Sequence, residues 1–212
     1  MSANQIPISS SGEGAAVTIT PFDASRDLAR VIELHCISLP DTMVARLGRA
    51  AMARYYALVA RASTEYVLVA RRRDAIAGAC VISCAPHTML RRFAAEAPWP
   101  LIRELVTQLV LCRAMRRRLL HRLTEMSAGT SALPEVVQIF TDPQLRGRGF
   151  GSALLRAAEA YLRGRGYLSY CIHTFRDDNE AGIRFYLREG FTTAGITRSF
   201  GDYYLIMTKG LC

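Results

Sequence analysis

The 212-residue sequence lacks the features of secreted, membrane-spanning and disulfide-stabilised proteins. No stretch approaches the roughly 18 uncharged apolar residues of a spanning helix, and no basic segment leads into an apolar one as in a signal peptide. Its six cysteines are scattered, without the spacing of a disulfide scaffold or a zinc site. These absences predict a cytoplasmic protein with reduced thiols and no bound metal.

Lysine is almost absent too, since Lys209 is the only one and the net charge of +9 is carried by arginine. Residues 87–130 contain eight arginines and three glutamates, a net of +5. Such a segment suits a phosphate-bearing or acidic acceptor, an anionic membrane surface or nucleic acid. A GC-rich genome gives the same preference for arginine, so the composition alone leaves the role of this segment open.

The length and the apolar half of the composition predict one domain, residues 16–212, after a disordered polar leader at residues 1–15. The hydrophobic spacing predicts seven strands, at residues 16–20, 66–71, 75–84, 135–141, 167–174, 192–197 and 203–208. It predicts a helix that has Ser25 as N-cap and is broken at residues 39–41, and further helices over residues 44–60, 152–163 and 179–189. Residues 87–126 are helical in composition, and Gly164 and Gly166 are candidate αL caps.

A glycine-rich turn lies between the predicted strand at 135–141 and the helix that follows. Gly147, Gly149 and Gly151 are spaced two apart. Glycine permits positive φ and leaves no Cβ in the way of a ligand, while the N–H groups of the first helical turn converge on an anion. The turn suits a pyrophosphate, with Arg146 and Arg148 adding charge. It has neither the Lys-Ser/Thr ending of a Walker A loop nor the ribose-binding acid of a Rossmann unit, and a tight turn that merely needs glycine is the alternative.

Two motifs give the sequence a close resemblance to a known family. Residues 144–149, QLRGRG, resemble the Gln/Arg-x-x-Gly-x-Gly/Ala signature of the GNAT acetyltransferases. Residues 179–191, NEAGIRFYLREGF, match the later Asn-x-x-Ala-x-x-x-Tyr-x-x-x-Gly-Phe segment of that family. The resemblance covers residues 17–209 and is closest over 135–191. It implies an α/β (α+β) GNAT fold, with a mixed, mostly antiparallel sheet of about seven strands flanked by helices and a helical insertion at about 87–130 between the third and fourth strands.

The resemblance implies acetyl-CoA as co-substrate and a set of residues that bind it. Main-chain groups of Phe140 and Thr141 are expected to bond the pantetheine arm, in a splay between the fourth and fifth strands. Asn179 is expected to reach the cofactor and to cap its own helix. The backbone N–H groups expected to hold the pyrophosphate are those of Arg146, Gly147, Arg148, Gly149, Phe150 and Gly151.

The resemblance also assigns the chemistry. Tyr186 occupies the position of the general acid that protonates the CoA thiolate, and a core aromatic beside Phe185 is the alternative. Glu135 aligns with the position of the base in some members, whereas others use a bound water; a solvent-exposed strand-end glutamate is the alternative. His173 is a weaker candidate, because a lone histidine in a strand is more often only hydrogen-bonded in the core.

The expected activity is transfer of an acetyl group to a primary amine by direct attack, without an acyl-enzyme. A small amine or amino sugar is the first acceptor class, since residues 39–40, 47–48 and 55–56 resemble GNAT proteins found beside bacterial surface-polysaccharide genes. A protein N-terminus or lysine is the second and a charged tRNA the third. A non-catalytic CoA-binding module is the alternative function.

The insertion is expected near the Glu135 end of the fourth strand. There it contacts the acceptor, packs on the sheet edge or forms a homodimer.

Overall fold

The computed structural model describes residues 17–95, 133–199 and 202–211. The predicted leader and most of the predicted insertion lie outside these residues. The chain divides into two compact units. The first unit comprises residues 1–83 and 136–166, and the second comprises residues 84–135 and 167–212.

The described residues form a seven-stranded sheet with the order β1-β2-β3-β4-β5-β7-β6. The strands are β1 Val17–Pro21, β2 Glu65–Arg72, β3 Ala75–Ser83, β4 Glu135–Thr141, β5 Ser169–Phe175, β6 Thr192–Ser199 and β7 Asp202–Gly210. The helices are α1 Ala24–Ser38, α2 Met43–Arg46, α3 Arg49–Arg61, α4 Pro86–Ala95, α5 Phe150–Gly164 and α6 Glu180–Arg188. The β1–β2, β2–β3, β5–β7 and β6–β7 pairs are antiparallel and β4–β5 is parallel, which confirms the predicted mixed, mostly antiparallel sheet.

In the first unit, β2 and β3 are buried along nearly their whole length because their sequences, EYVLVARR and AIAGACVIS, carry apolar residues at consecutive positions. Helix α5 packs on these strands, with Leu154, Leu155 and Leu162 fully buried. Helix α1 packs on α3 and β3. The next strand, β4, is less buried, with only Val136 and Phe140 in the core.

A buried ion pair fixes α1 to β2 within this unit. The Nη2 group of Arg71 donates to Asp27 Oδ1 at 2.7 Å, and the Asp27 side chain is fully buried. Burial raises the pKa of Asp27, but the hydrogen bonds from Arg71, from the Asp23 N–H and from Arg26 outweigh it, so the pKa lies below its usual value. The carboxylate therefore stays ionised, and removing Arg71 would leave the buried Asp27 with the exposed Arg26 as its cationic partner.

Several predicted boundaries are wrong for local reasons. The helix predicted over residues 44–60 is two helices, because Gly48 adopts φ +89° and starts α3 anew. Asp23, rather than Ser25, caps α1, and its side chain accepts from the Ser25 N–H. Gly166 has the predicted positive φ of 82°, whereas Gly164 is the last residue of α5 and does not. The bounds of β4 are confirmed, and the ends of the other strands lie within two residues of their predicted positions.

In the second unit, the β6–β7 hairpin is present as predicted and β7 continues the sheet to β5. Tyr170, Ile172 and Met207 are buried, and the Phe191 ring packs edge-on against Tyr170 with centroids 5.2 Å apart. Helix α4 is the described part of the predicted insertion. Among the residues that the structure describes, no helix is long and apolar enough to cross a bilayer.

A fully buried histidine links α1 to α3 in the first unit. His35 Nδ1 lies 2.8 Å from the Tyr56 hydroxyl, and Nε2 lies 2.8 Å from Thr42 Oγ1. Its ring centroid is 5.2 Å from that of Phe140 on β4. Burial lowers the pKa of His35 from 6.5 to about 4. The imidazole is therefore neutral in the folded protein at neutral pH.

This burial predicts a pH dependence of the folding free energy. Below pH 6.5 the unfolded state protonates His35 while the folded state does not, so stability falls as the pH decreases from 6.5 towards 4. The full shift corresponds to about 3 kcal/mol. In urea unfolding at several pH values, His35→Gln should flatten this part of the profile, whereas His87→Gln, at an exposed position, should not. An unchanged slope in the folded His35→Gln protein would contradict the assignment.

Candidate active site

A loop of residues 142–149 connects β4 to α5 in the first unit. Its start is anchored at Asp142, whose carboxylate accepts from the Gln144 N–H at 3.0 Å and from Arg30 Nη2 at 2.9 Å. Residues Pro143–Leu145 form one 3₁₀ turn. The remaining residues of the loop, 146–149, form the turn that precedes the first residue of α5.

Two of the three glycines are required by the backbone of this loop. Gly147 has φ +76° and Gly149 has φ +84°, in the region that side-chain-bearing residues rarely adopt. No described atom lies within 4 Å of where a Cβ would stand at either position. Gly151, in contrast, lies in the first turn of α5. The predicted positive φ is thus confirmed for Gly147 and Gly149.

The start of α5 can bind an anion. Gly149 is the N-cap and supplies no side chain, so the first helical N–H groups, including those of Phe150 and Gly151, have no acceptor within the helix. The dipole of this 15-residue helix adds positive potential at the same place. Arg146 and Arg148 are exposed beside it, while the Phe150 ring is buried, so only the main chain of Phe150 is available to an anion.

The end of β4 is partly occupied by protein contacts. The Phe140 ring is buried, and its carbonyl lies so close to β3 that a Cβ at Gly78 would stand 2.5 Å from the oxygen. The Thr141 carbonyl accepts from Ser38 Oγ at 3.1 Å. One of the main-chain groups predicted to bind pantetheine thus already has a partner. Sequence reasoning missed Gly78 and Ser38, since neither stands in a motif.

Asn179 takes the N-cap position of α6 in the second unit, but its side chain does not cap that helix, contrary to the prediction. Instead Nδ2 donates to Thr174 Oγ1 at 2.7 Å and to the Phe175 carbonyl at 3.4 Å, which ties it to the end of β5. A Cβ at Gly182 would lie 2.5 Å from Asn179 Oδ1. The missing side chain at Gly182 therefore makes room for Asn179, and local sequence spacing does not reveal this requirement.

Tyr186 lies on α6 and is half-buried. Its ring packs edge-on against Phe185, with centroids 5.2 Å apart, and against Phe191, with centroids 5.5 Å apart. Phe191 is itself buried against Tyr170. This aromatic support fixes the direction of the ring and leaves part of the Tyr186 side chain exposed. Such a tyrosine satisfies the core-aromatic interpretation and can also act as a proton donor.

Glu135 and His173, predicted as separate candidates, lie in hydrogen-bond contact in the second unit. Glu135 Oε1 is 2.8 Å from His173 Nδ1, and the two side chains are 14% and 29% exposed. The contact arises because Glu135, the first residue of β4, pairs with Cys171, two residues before His173 on β5. Glu135 is thus mostly buried and is not the solvent-exposed strand-end residue that was the alternative.

The donor and the acceptor in the hydrogen bond between Glu135 and His173 can be assigned. An ionised carboxylate can only accept hydrogen bonds, so Nδ1 of His173 must be the donor. In the neutral imidazole the proton is then on Nδ1, which leaves Nε2 with a lone pair. Glu135 thereby orients the ring. An imidazole held by a carboxylate in this way can act as a general base.

The chain resembles proteins of known structure over most of its length. Ard1 from Thermoplasma volcanium is 18% identical with a TM-score of 0.58, covering 92% of this chain and 98% of that one. The ribosomal-protein-S18-alanine N-acetyltransferase from Escherichia coli is 14% identical, with a TM-score of 0.57 and coverage of 92% and 94%. The PaiA N-acetyltransferase from Thermoplasma acidophilum, in complex with coenzyme A, is 14% identical, with a TM-score of 0.57 and coverage of 92% and 98%. At these identities the likeness shows the fold.

A search of curated protein sequences gives no significant match. The family model of the GNAT acetyltransferases, in contrast, matches residues 31–191, which is most of the chain and contains the glycine loop, Glu135, His173, Asn179 and Tyr186. The chain therefore belongs to the GNAT family and is an acetyltransferase.

Proposed function

We propose that this acetyltransferase moves the acetyl group of acetyl-CoA directly to a primary amine, with a small amine or an amino sugar as acceptor. The observation that carries the proposal is the 2.8 Å contact between Glu135 and His173. An amine is mostly protonated at neutral pH and attacks only after losing a proton. A carboxylate-supported imidazole of moderate exposure supplies that base, and nothing in the transfer itself requires a metal.

The loop of residues 142–149 and the first turn of α5 would hold the pyrophosphate of CoA. The support is the positive φ of Gly147 and Gly149, the open space beside them and the exposed guanidinium groups of Arg146 and Arg148. Main-chain groups of Phe140 and Thr141 and the side chain of Asn179 would contact the rest of the cofactor. A structural neighbour of low identity is named as a coenzyme A complex, which agrees with this proposal.

The residues of this chain would then move the protons of the reaction. His173 Nε2 takes one proton from the ammonium form of the acceptor and passes it to solvent. The neutral amine attacks the thioester carbon, Nε2 takes the second proton that the nitrogen must lose and returns it to solvent, and Glu135 stabilises the imidazolium each time. When the C–S bond breaks, the Tyr186 hydroxyl gives its proton to the thiolate sulfur and regains one from solvent. The pKa values of a thiol and a phenol lie within about two units of each other, so this transfer is close to balanced. CoA contributes a thioester, which carries the acetyl group in an activated form.

A protein N-terminus is the second acceptor class that we propose. It is favoured by one structural neighbour, the ribosomal-protein-S18-alanine N-acetyltransferase, whose name gives a protein alanine as its acceptor. A lysine side chain and a charged tRNA follow, the latter because of the arginine-rich segment at 87–130. A non-catalytic module that binds CoA can be distinguished from an acetyltransferase by experiment. Such a module would bind acetyl-CoA but would release no free thiol in the presence of any amine.

The loop assignment predicts the effect of Gly149→Val. The side chain would project into the open space beside the loop, so acetyl-CoA should raise the melting temperature of the wild type and leave that of the variant unchanged. Gly166→Val is a matched control, because Gly166 has a similar φ of +82° and the same open surroundings. Both variants should lose about 1–2 kcal/mol from backbone strain. A ligand-induced shift that persists in folded Gly149→Val would refute the assignment.

The role of Tyr186 predicts a defect in chemistry without one in binding. Tyr186→Phe keeps the aromatic contacts with Phe185 and Phe191 and removes only the hydroxyl. Turnover should fall about a hundredfold, the low end of what general acid–base catalysis contributes, while the acetyl-CoA melting shift stays. Tyr203→Phe removes a hydroxyl from an exposed tyrosine and should change neither. Full activity of Tyr186→Phe, under conditions where chemistry limits the rate, would exclude Tyr186 from the mechanism.

The proposed base predicts that Glu135 and His173 act as one unit. Glu135→Gln and His173→Gln should each lower kcat about a hundredfold. Because each substitution already disables the pair, the double variant should lose little more than either single one. Measuring kcat for the four proteins checks this, with the acetyl-CoA melting shift as the control for binding. Losses that multiply in the double variant would show that the residues act independently and would refute the paired base.

A further inference from the structure

Cys171 joins the Glu135–His173 pair to form a group of three potential metal ligands. A carboxylate oxygen of Glu135, the Cys171 sulfur and a ring nitrogen of His173 all lie within 4.8 Å of one another. The three residues belong to the same unit. Cys171 and His173 are two positions apart on β5, so their side chains share one face of the strand. Within residues 17–95, 133–199 and 202–211, this is the one such group of three.

The strand pairing holds the three side chains in place. Glu135 is the register partner of Cys171 across the parallel β4–β5 pair, and the Cys171 N–H donates to the Pro134 carbonyl at 3.0 Å. Cys171 is 1% exposed, whereas Glu135 and His173 retain partial exposure. The sulfur therefore forms the buried side of the group, and an ion can approach from the side of the carboxylate and the imidazole.

The chemistry of the three donors selects a particular class of ion. A thiolate, an imidazole and a carboxylate together suit Zn²⁺ or Co²⁺, whereas Mg²⁺ and Ca²⁺ prefer oxygen ligands alone. Bond lengths of about 2.0–2.3 Å in a tetrahedral site place ligand atoms roughly 3.3–3.7 Å apart. The 2.8 Å contact and the 4.8 Å upper limit bracket these values, so small side-chain rotations would complete the set. The fourth position would be left to water.

We propose that Glu135, Cys171 and His173 bind one Zn²⁺ or Co²⁺ ion reversibly. On binding, the Cys171 thiol releases its proton to solvent, and the Nδ1 proton of His173 moves through solvent to Nε2. The ion then takes the place of that proton between Nδ1 and Glu135. The binding of the ion does not depend on the proposed function, but its effect on activity rests on it. An ion held by Glu135 and His173 prevents His173 from accepting a proton, so the ion inhibits acetyl transfer until a chelator removes it.

Direct metal binding tests this proposal without any activity assay. The untagged full-length chain, reduced with a phosphine that does not bind metals, is titrated with Co²⁺. The wild type should bind one ion with the near-ultraviolet absorption of a thiolate–Co²⁺ bond. Cys171→Ser should lose that absorption, and its affinity should fall at least about 10–100-fold, since even the loss of a group that merely orients a ligand costs this much. Cys84→Ser, a half-buried cysteine outside the group, should bind as the wild type does.

His173→Gln is the second variant, because Cys171 is buried and its replacement can impair folding. It should weaken Co²⁺ binding by a similar factor. At Co²⁺ concentrations that still load the variant, the wavelength of the thiolate–Co²⁺ absorption should shift. Wild-type Co²⁺ affinity in folded Cys171→Ser or in folded His173→Gln would overturn the proposal. So would a wild-type protein that shows no thiolate absorption at saturating Co²⁺. Inactivity of the metal-free enzyme with every amine would instead count against the proposed function. Failure of the metal site and failure of the proposed function are therefore distinguished by different measurements.

Discussion

The parallel pairing of Glu135 with Cys171 places three chemically competent side chains at one position on the sheet. It sets Glu135 opposite Cys171 and within hydrogen-bond distance of His173, two residues further along β5. Because both strands are held by backbone hydrogen bonds, the carboxylate and the imidazole need little ordering when they act. The same pairing brings the Cys171 sulfur to the group. The proposed proton transfer and the proposed metal binding therefore depend on one strand contact and exclude each other.

Burial decides what this contact can do. Glu135 is mostly buried and Cys171 almost fully, while His173 keeps more of its surface exposed. The imidazole of His173 is thus the group of the three that an acceptor can reach, and the Glu135 carboxylate holds the imidazole by a hydrogen bond on its buried side. A similar logic applies to Tyr186, whose ring is packed on two phenylalanines while part of the side chain remains accessible. In both cases the apolar or hydrogen-bonded side of the residue fixes the direction of the group that we propose to react.

Local patterns allowed much of the fold to be predicted from the sequence. The β2–β3 and β6–β7 hairpins follow from apolar runs separated by turn residues, and the loop glycines follow from their spacing before a helix. The split of one predicted helix at Gly48 was missed because apolar residues continue at helical spacing across it. The cap at Asp23 was missed because Asp23 and Ser25 are both residue types that cap helices. The Glu135–His173 contact spans 38 residues, and Gly182 is needed only because Asn179 turns towards Thr174. Such contacts depend on tertiary packing, which single-sequence periodicity does not encode.

The central claim is that the chain transfers acetyl groups from acetyl-CoA to primary amines. It is tested most directly by incubating the metal-free wild-type protein with acetyl-CoA and a panel of amines that includes amino sugars, polyamines and peptides with free N-termini. Free-thiol release is followed together with the mass of each amine. The account predicts thiol release in equal amount to a product heavier by one acetyl group, with the small amines or amino sugars converted fastest. Binding of acetyl-CoA without thiol release across the whole panel would contradict it.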